Sequence, residues 1–394
     1  MLYKFPEIRK FSDIEQYIDP DLFYIAKKDG YKVINYHMAT PETFPPITDE
    51  KSKIVREFRG IIFNDEGNII RRPYEKFFNV SERNETLLEN IDISQPHKVI
   101  EKIDGSMCAV FRVKERLIFG TKLGETDASK LPQEFAESRQ NYMDFCNAII
   151  DIGATPIFEY CSNKNRIVLD YPEENLILTG IRKMFSGEYV SYAQMKEYAG
   201  WFDIPLVKMF GGTLNQALID RIRATEGIEG IVVRFDQGGM VKIKADAYLA
   251  LHRVKSDINS EKNVVALILE KKIDDLKPLL SKDDLLRITE FEKKVTNSLI
   301  GLSSELMEVI NFAKTVNRKD FALNHTNPSW AKHLTFSSWN ELNSEDIITK
   351  SKESLVQYIL KNCNSNKNYS SLKEIGGIFK NLENWTSVMF GDQE

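Results

Sequence analysis

Three sets of side chains in this sequence are suited to handling phosphates. In Glu101-Lys102-Ile103-Asp104-Gly105-Ser106, a lysine stands between apolar Ile100 and Ile103 and is followed by an acid and a glycine at a turn. Taken alone, that string also fits the end of an amphipathic strand. Val241-Lys242-Ile243-Lys244-Ala245 has β character, so Lys242 and Lys244 share one face while Val241 and Ile243 turn to the other. Such alternation suits a half-buried strand with a solvated face. It would equally aim two ammonium groups at phosphate oxygens, where they stabilise the charge that builds during displacement. Asp104, Glu159 and Glu229 each fall at a separate expected strand end, as convergent ligands would. Carboxylates are the natural partners of Mg²⁺, and Phe158 and Tyr160 beside Glu159 argue for a partly enclosed position over a plain surface carboxylate.

The elements that must position these groups are mostly strands. Residues 33–38, 59–65, 97–103, 106–113, 116–122, 155–161, 165–171, 175–182, 230–236 and 240–246 are rich in Val, Ile, Phe and Tyr. Turn signals separate several of them, at Asp65-Glu66-Gly67-Asn68, Ser186-Gly187 and Asp236-Gln237-Gly238-Gly239. Helices are expected at roughly Leu131 to Ile150, Tyr192 to Ala199 and Leu214 to Thr225. Strands and helices do not alternate regularly, so the reading is an α+β domain of antiparallel sheets with flanking helices over residues 1–254. From residue 255 to 394, apolar residues recur at three- and four-residue spacings, which predicts an all-α domain. Asn362 to Ser371 reads as a loop within it.

Taken in order, further strings join the first three: Arg59-Gly60 opening a strand, Glu75-Lys76-Phe77-Phe78-Asn79, Thr121-Lys122 and Glu229-Gly230-Ile231-Val232-Val233. Together they resemble the nucleotidyltransferase motifs of covalent polynucleotide ligases and mRNA capping enzymes, over about Tyr36 to Lys244. The resemblance is closer to the bacteriophage RNA ligase 1 family. It rests on R-P-x-E-K-F-F-N at Arg72 to Asn79, N-R-I-V-L at Asn165 to Leu169, and K-I-K with downstream Tyr248 and Leu251-His252.

That resemblance implies an ATP-dependent RNA ligase joining a 5′-phosphate to a 3′-hydroxyl, with Mg²⁺ or Mn²⁺. Lys102 would attack the α-phosphate of ATP and form a lysyl-AMP. AMP would then pass to the RNA 5′-phosphate, and the 3′-hydroxyl would displace it. An ordinary lysine has a pKa of about 10.4, leaving on the order of 0.1% neutral near pH 7.4. Neighbouring cations and partial desolvation are therefore needed, and Lys242, Lys244, Lys122, Lys76 and Arg59 are the candidates to supply them. The resemblance implies roles for Lys242 and Lys244 at the α-phosphate, for Asp104 and Glu229 on waters of a bound metal, and for Glu159 on metal or ribose. It implies nucleotide contacts for Arg59, Lys76 and Lys122, with Tyr36 reaching the triphosphate. Phe78 is expected near the adenylate with Phe77 packed inward, and Gly105 and Gly230 are expected to let the backbone approach the ligand. Arg166 fits a structural ion pair as well as a contact. A helical C-terminal domain in that family favours structured RNA, so nicked tRNA is the expected physiological substrate.

Composition narrows the other readings. With 53 Lys and Arg against 58 Asp and Glu, the net charge of −5 excludes a chain that holds polyanions by bulk charge. The helical region is no basic arm either, with 19 Lys and Arg against 20 Asp and Glu from residue 255 onward. The 4 cysteines lack C-x-x-C spacing, the 5 histidines lack metal-ligand spacing, and no P-loop string occurs. No apolar leader or run of about 18 apolar residues is present, so a cytoplasmic protein is expected (host cytoplasm if viral), with no membrane association and no obligate protein partner. A DNA ligase or capping enzyme would be expected to continue into a strand-rich OB domain, which the helical pattern disfavours. A non-catalytic nucleotide- or RNA-binding protein would have lost a reactive group, whereas the lysines and acids are all in place.

Overall fold

The computed structural model describes residues 4–163, 168–277, 280, 282–323, 328–374, 376–380, 382 and 384–385. The chain divides into two units, with the division after Ala250. In the first, short segments rich in Val, Ile, Phe and Tyr build three four-stranded sheets. One runs β1 (Phe23–Lys28), β2 (Tyr31–Tyr36), β3 (Ile61–Asn64) and β4 (Ile69–Arg71), all antiparallel. The other two draw on β5 (Phe78–Asn79), β6 (His97–Lys102), β7 (Ser106–Val113), β8 (Arg116–Gly120), β9 (Ala154–Cys161), β10 (Asn175–Lys183), β11 (Gly230–Phe235) and β12 (Met240–Lys244). Their orders are β10-β9-β7-β8 and β5-β12-β11-β6, and the pairing of β5 with β12 is parallel.

The third sheet is covered on both faces. Val99, Ile231, Val233, Val241 and Ile243 pack with Leu218, Ile219 and Ile222 of a helix (Gln216–Arg223). On the opposite face Ile100, Val232 and Met240 join Cys108, Val110, Phe158 and Leu178 of the second sheet. Period-two alternation therefore puts Lys102, Lys242 and Lys244 on the inner face, beyond the end of an apolar core. Around the sheets lie α1 (Glu50–Val55), α2 (Lys130–Glu137), α3 (Gln140–Asp151), α4 (Tyr192–Trp201) and that helix, α5. Asp49, Ser191 and Asn215 cap α1, α4 and α5 by accepting from backbone N–H groups in the first turn.

The expected helix over Leu131 to Ile150 is two helices. Arg139 is extended between them, with φ −136° and ψ 101°, and its guanidinium and the Ser138 hydroxyl both donate to the Phe135 carbonyl. The strand expected over 165–171 is not formed by its described residues. Val168 and Leu169 donate their N–H groups to the Asp104 carboxylate instead of to a neighbouring strand. Asn165, Arg166 and Ile167 lie outside the described residues.

α6 (Asp246–Ile258) carries the chain into the second unit, which is helical among its described residues. It contains α7 (Glu261–Leu269), α8 (Ile273–Leu276), the 32-residue α9 (Lys282–Ala313), α10 (Arg318–Leu323), α11 (Ser329–Ser337), α12 (Ile347–Asn362) and α13 (Asn366–Glu374). Its core joins Val264, Ile288, Phe291, Val295, Leu306, Phe321, Trp330, Leu355 and Ile359. The loop expected over Asn362 to Ser371 is mostly α13, because Tyr369 and Leu372 are buried in that core. A groove of about 610 Å³ between α9 and α12 is lined by Leu299, Ile300, Met307, Ile348 and Val356 among others. No helix among the described residues is long and apolar enough to cross a membrane.

Candidate active site

Register brings the lysines together. Gly230 of β11 is paired with Lys102 of β6 on one side and with Lys244 of β12 on the other. In the next row on the same face Val232 lies between Ile100 and Lys242. Glu229 precedes this row, and its Oε1 accepts from Lys102 Nζ at 2.8 Å and from Lys244 Nζ at 3.0 Å. One buried carboxylate thus holds two half-buried ammonium groups.

Among the described residues Lys242 is in no such ion pair. Burial, then the nearby charges of Lys76, Lys102 and Lys244, bring its pKa down to about 7. Lys76 is shifted in the same direction, by burial first and then by Arg59, Arg83 and Arg56. Across from them Glu159 of β9 is pushed up to about 8, mainly by burial. Lys102 opposes that shift, whereas Glu229 and Asp104 add to it. Arg59 is half-buried, with Nη1 3.5 Å from the Tyr74 carbonyl and 3.6 Å from the sulfur of Met107, the residue paired with Glu159 across β7 and β9. Tyr36 and Lys122 sit at the margin. Lys122 Nζ is 5.2 Å from the Tyr36 ring, which packs edge-on against Phe44, and Lys76 Nζ is 5.9 Å from Phe44.

The structure corrects several expected roles. Asp104 is not open to a metal or its waters: it is 3% exposed, with Oδ2 accepting from the backbone of Val168 and Leu169 and Oδ1 from the Tyr248 hydroxyl, each at 2.7 Å. It straps the turn after Lys102 to residues 168–169 and to α6. Among the described residues no group of three acids, cysteines or histidines could hold a metal ion. Phe78 is buried at 1% exposure in the core under the first sheet, so its ring is not available to a purine. Phe77 is the half-buried one, with Lys242 Nζ 5.6 Å from its ring. The two glycines answer to their own backbone. A Cβ on Gly105 would stand 2.4 Å from the Tyr160 carbonyl oxygen, and one on Gly230, at φ +151°, 2.0 Å from that of Ile243.

A divalent cation fits a narrower donor set than the expected three acids. Glu229 is engaged by two lysines and Asp104 by three hydrogen bonds, but Glu159 is half-buried and makes no ion pair among the described residues. Mg²⁺ commonly binds through one or two carboxylates plus substrate phosphates and waters. Glu159 with a bound triphosphate meets that need, and a cation there would lower the raised pKa.

Sequence reasoning missed one group next to this site. Glu57, two residues before Arg59, is 2% exposed and accepts four charge-assisted hydrogen bonds of 2.8–3.1 Å from Arg72 and Arg182, both fully buried. Glu75, directly before Lys76, lies 3.4 Å from Arg182 and accepts from the Tyr189 hydroxyl. Arg72 also donates to the carbonyls of Pro6, Met184 and Phe185, and Arg182 to those of Pro73 and Gly187. The available signal was a charge set among apolar neighbours, Val55 and Phe58.

Known proteins resemble this chain in both of its units. A family model described as RNA ligase matches residues 57–248, and one described as the C-terminal domain of T4 RNA ligase 1 matches residues 255–369. RNA ligase 1 of bacteriophage TS2126 is 25% identical over 295 residues, covering 70% of this chain and 69% of its own. The RNA ligase of Rhodothermus phage RM378 is 25% identical over 343 residues, covering 67% and 77%. A protein of Thermovibrio ammonificans provisionally named RNA ligase is 28% identical over 266 residues, covering 64% and 67%.

Proposed function

Because the chain belongs to the T4 RNA ligase 1 family of RNA ligases, we propose that it is an ATP-dependent enzyme sealing RNA 5′-phosphate and 3′-hydroxyl ends, with Lys102 as the nucleophile. The observation that carries this reading is the row Lys102–Gly230–Lys244, with Lys242 on the same face and mostly neutral above pH 7. Five basic side chains, Arg59, Lys76, Lys102, Lys242 and Lys244, would serve a bound triphosphate.

In the first step Lys102 gives up a proton and its Nζ forms a bond to the α-phosphorus of ATP. The bond from that phosphorus to the bridging oxygen breaks, and pyrophosphate leaves with the bonding electrons. Glu229 Oε1, 2.8 Å from Lys102 Nζ, is the nearest acceptor for the proton, and neutral Lys242 is a second base in the same cluster. Lys244, and Lys242 once it is protonated, neutralise charge on the phosphate oxygens; Lys76 and Arg59 serve the outer phosphates. Glu159 would hold a divalent cation, which would supply further charge neutralisation on the phosphates. The RNA 5′-phosphate then displaces Lys102 from AMP, and the 3′-hydroxyl displaces AMP to form the phosphodiester.

Nicked tRNA as the substrate, and a specificity role for the helical unit, belong to the same proposal and rest on the match to the C-terminal domain family. A gel assay offering ATP, GTP or NAD with 5′-phosphorylated RNA or DNA strands tests the chemistry. Joining of RNA with ATP is expected, and joining with NAD alone, or of DNA alone, would overturn it. Residues 1–254 alone are expected to take up AMP yet join a nicked tRNA poorly; joining equal to that of the full chain would remove the specificity role.

A further inference from the structure

We infer that the β6 edge of the lysine-bearing sheet, with residues 208–210 paired along it, is a docking track for single-stranded RNA, formed by Lys208, Met209, Phe210 and Arg221 and leading to Lys102. This rests on the ligase reading for the identity of the occupant alone; the surface itself is seen in the fold. β6, which ends at Lys102, is the outer strand of its sheet, and residues 208–210 run beside it. Glu101 N–H donates to the Lys208 carbonyl at 2.9 Å and Phe210 N–H to the Val99 carbonyl at 2.8 Å, with Met209 bridged to Ile100.

Main-chain pairing fixes where the side chains go. Met209 shares the face of Ile100 and Lys102, whereas Lys208 and Phe210 share the face of Val99, toward α5. The adjacent Met209 and Phe210 are 48% and 37% exposed. The Arg221 guanidinium carbon is 5.9 Å from the Phe210 ring, and its Nη2 lies 3.5 Å from where a Cβ would stand on Gly212. At φ +96°, Gly212 is a position that favours glycine, which leaves that space to the guanidinium. Lys208, Arg221 and Arg223 are exposed, and none is in an ion pair among the described residues. The nearby acid Asp220 accepts from Gln216 Nε2 at 2.7 Å.

Two exposed apolar side chains beside cations that are in no ion pair among the described residues suit a polyanion that carries flat rings. In single-strand binding proteins, cations follow the backbone while aromatic side chains stack with bases irrespective of sequence. The spacing also fits. Lys208 lies beside the residue before Lys102, and Phe210 is opposite Val99, about 10 Å back along the strand at roughly 3.3 Å per residue. A base stacked on Phe210 would therefore be a few nucleotides from the reacting end, with the strand crossing the sheet edge over Met209. A net charge of −5 leaves RNA capture to such local features.

The test uses the full chain, a fluorescent 5′-phosphorylated single-stranded oligoribonucleotide read by anisotropy, and AMP uptake from labelled ATP. Phe210→Ala is expected to weaken RNA binding about tenfold or more, Phe210→Trp to retain it, and both to take up AMP at the wild-type rate. Lys208→Gln and Arg221→Gln are each expected to reduce the slope of log affinity against log salt by about 0.7. Unchanged RNA affinity in all the variants would overturn the track, as would a parallel loss of AMP uptake, which marks a folding effect. If the wild type took up no AMP, the ligase reading would fail while the affinity comparison still decided the track.

Discussion

The first unit contains two clusters of buried and half-buried ions, and they differ in balance. Around Glu57, two guanidiniums face two carboxylates, and Arg72 and Arg182 spend their remaining donors on backbone carbonyls. There burial alone would raise the Glu57 pKa, yet Arg182 and Arg72 hold it below the usual carboxylate value. Around Lys102, five basic side chains face Glu229 and a Glu159 whose pKa of about 8 leaves it mostly protonated near pH 7. The first cluster is balanced in charge, with Glu75 Oε1 its one oxygen lacking a hydrogen-bond partner among the described residues, and it acts as scaffold. The unsaturated one stores like-charge repulsion that an incoming polyphosphate relieves. The two are joined by the chain itself, since Glu57 precedes Arg59 by two residues and Glu75 precedes Lys76 by one.

Breaking the scaffold cluster gives the largest expected effect. Glu57→Ala leaves two buried guanidiniums without their shared carboxylate and is expected to cost about 3–5 kcal/mol in denaturant unfolding. A loss below about 1 kcal/mol would mean that the cluster is not a scaffold. Asp104→Asn comes next. The amide presents one acceptor where the carboxylate took three hydrogen bonds, so a loss of about 1.5–3 kcal/mol is expected even without metal. An unchanged stability would return Asp104 to the metal.

Removing charge from the unsaturated cluster has the opposite sign. Lys242 titrates near 10.5 when unfolded and at about 7 when folded. As pH falls between those values the unfolded chain binds a proton that the folded chain does not, so stability declines and the penalty is complete below pH 7. Lys242→Met is therefore expected to be at least as stable as wild type at pH 7, with the advantage vanishing above the unfolded pKa, while polyphosphate affinity falls. The smallest signal is calorimetric. Metal-free ATP binding near pH 8 should take up protons, because the bound anion raises the pKa of Lys242 and of Glu159, and Lys242→Met should reduce the uptake. Equal heats in buffers of different ionisation enthalpy would contradict it.

Much of the sheet architecture was legible because β6, β7 and β11 carry short runs rich in Val, Ile and Phe and β12 alternates Val and Ile with lysine. The same alternation put Lys242 and Lys244 on one face before any register was known. β1 was missed because its exposed edge sequence, ending in Lys27-Lys28, shows little apolar alternation. The network about Glu57 joins residues 15 and 125 positions apart, a pairing that no local pattern encodes. Phe77 and Phe78 are alike in composition, and the parallel pairing of Phe78 with Val241 decides which one is buried. Asp104 was read as an acid at a strand end, but its partners Val168 and Leu169 are backbone groups, which sequence does not distinguish.

The most direct measurement is intact mass and peptide mapping of the chain after incubation with ATP and Mg²⁺. The expected result is one acid-labile AMP on the peptide containing Lys102, lost on incubation with pyrophosphate and absent from a folded Lys102→Ala variant. No covalent AMP on the wild type, or AMP retained in Lys102→Ala, would contradict the central claim that the unsaturated cluster exists to make Lys102 a nucleophile.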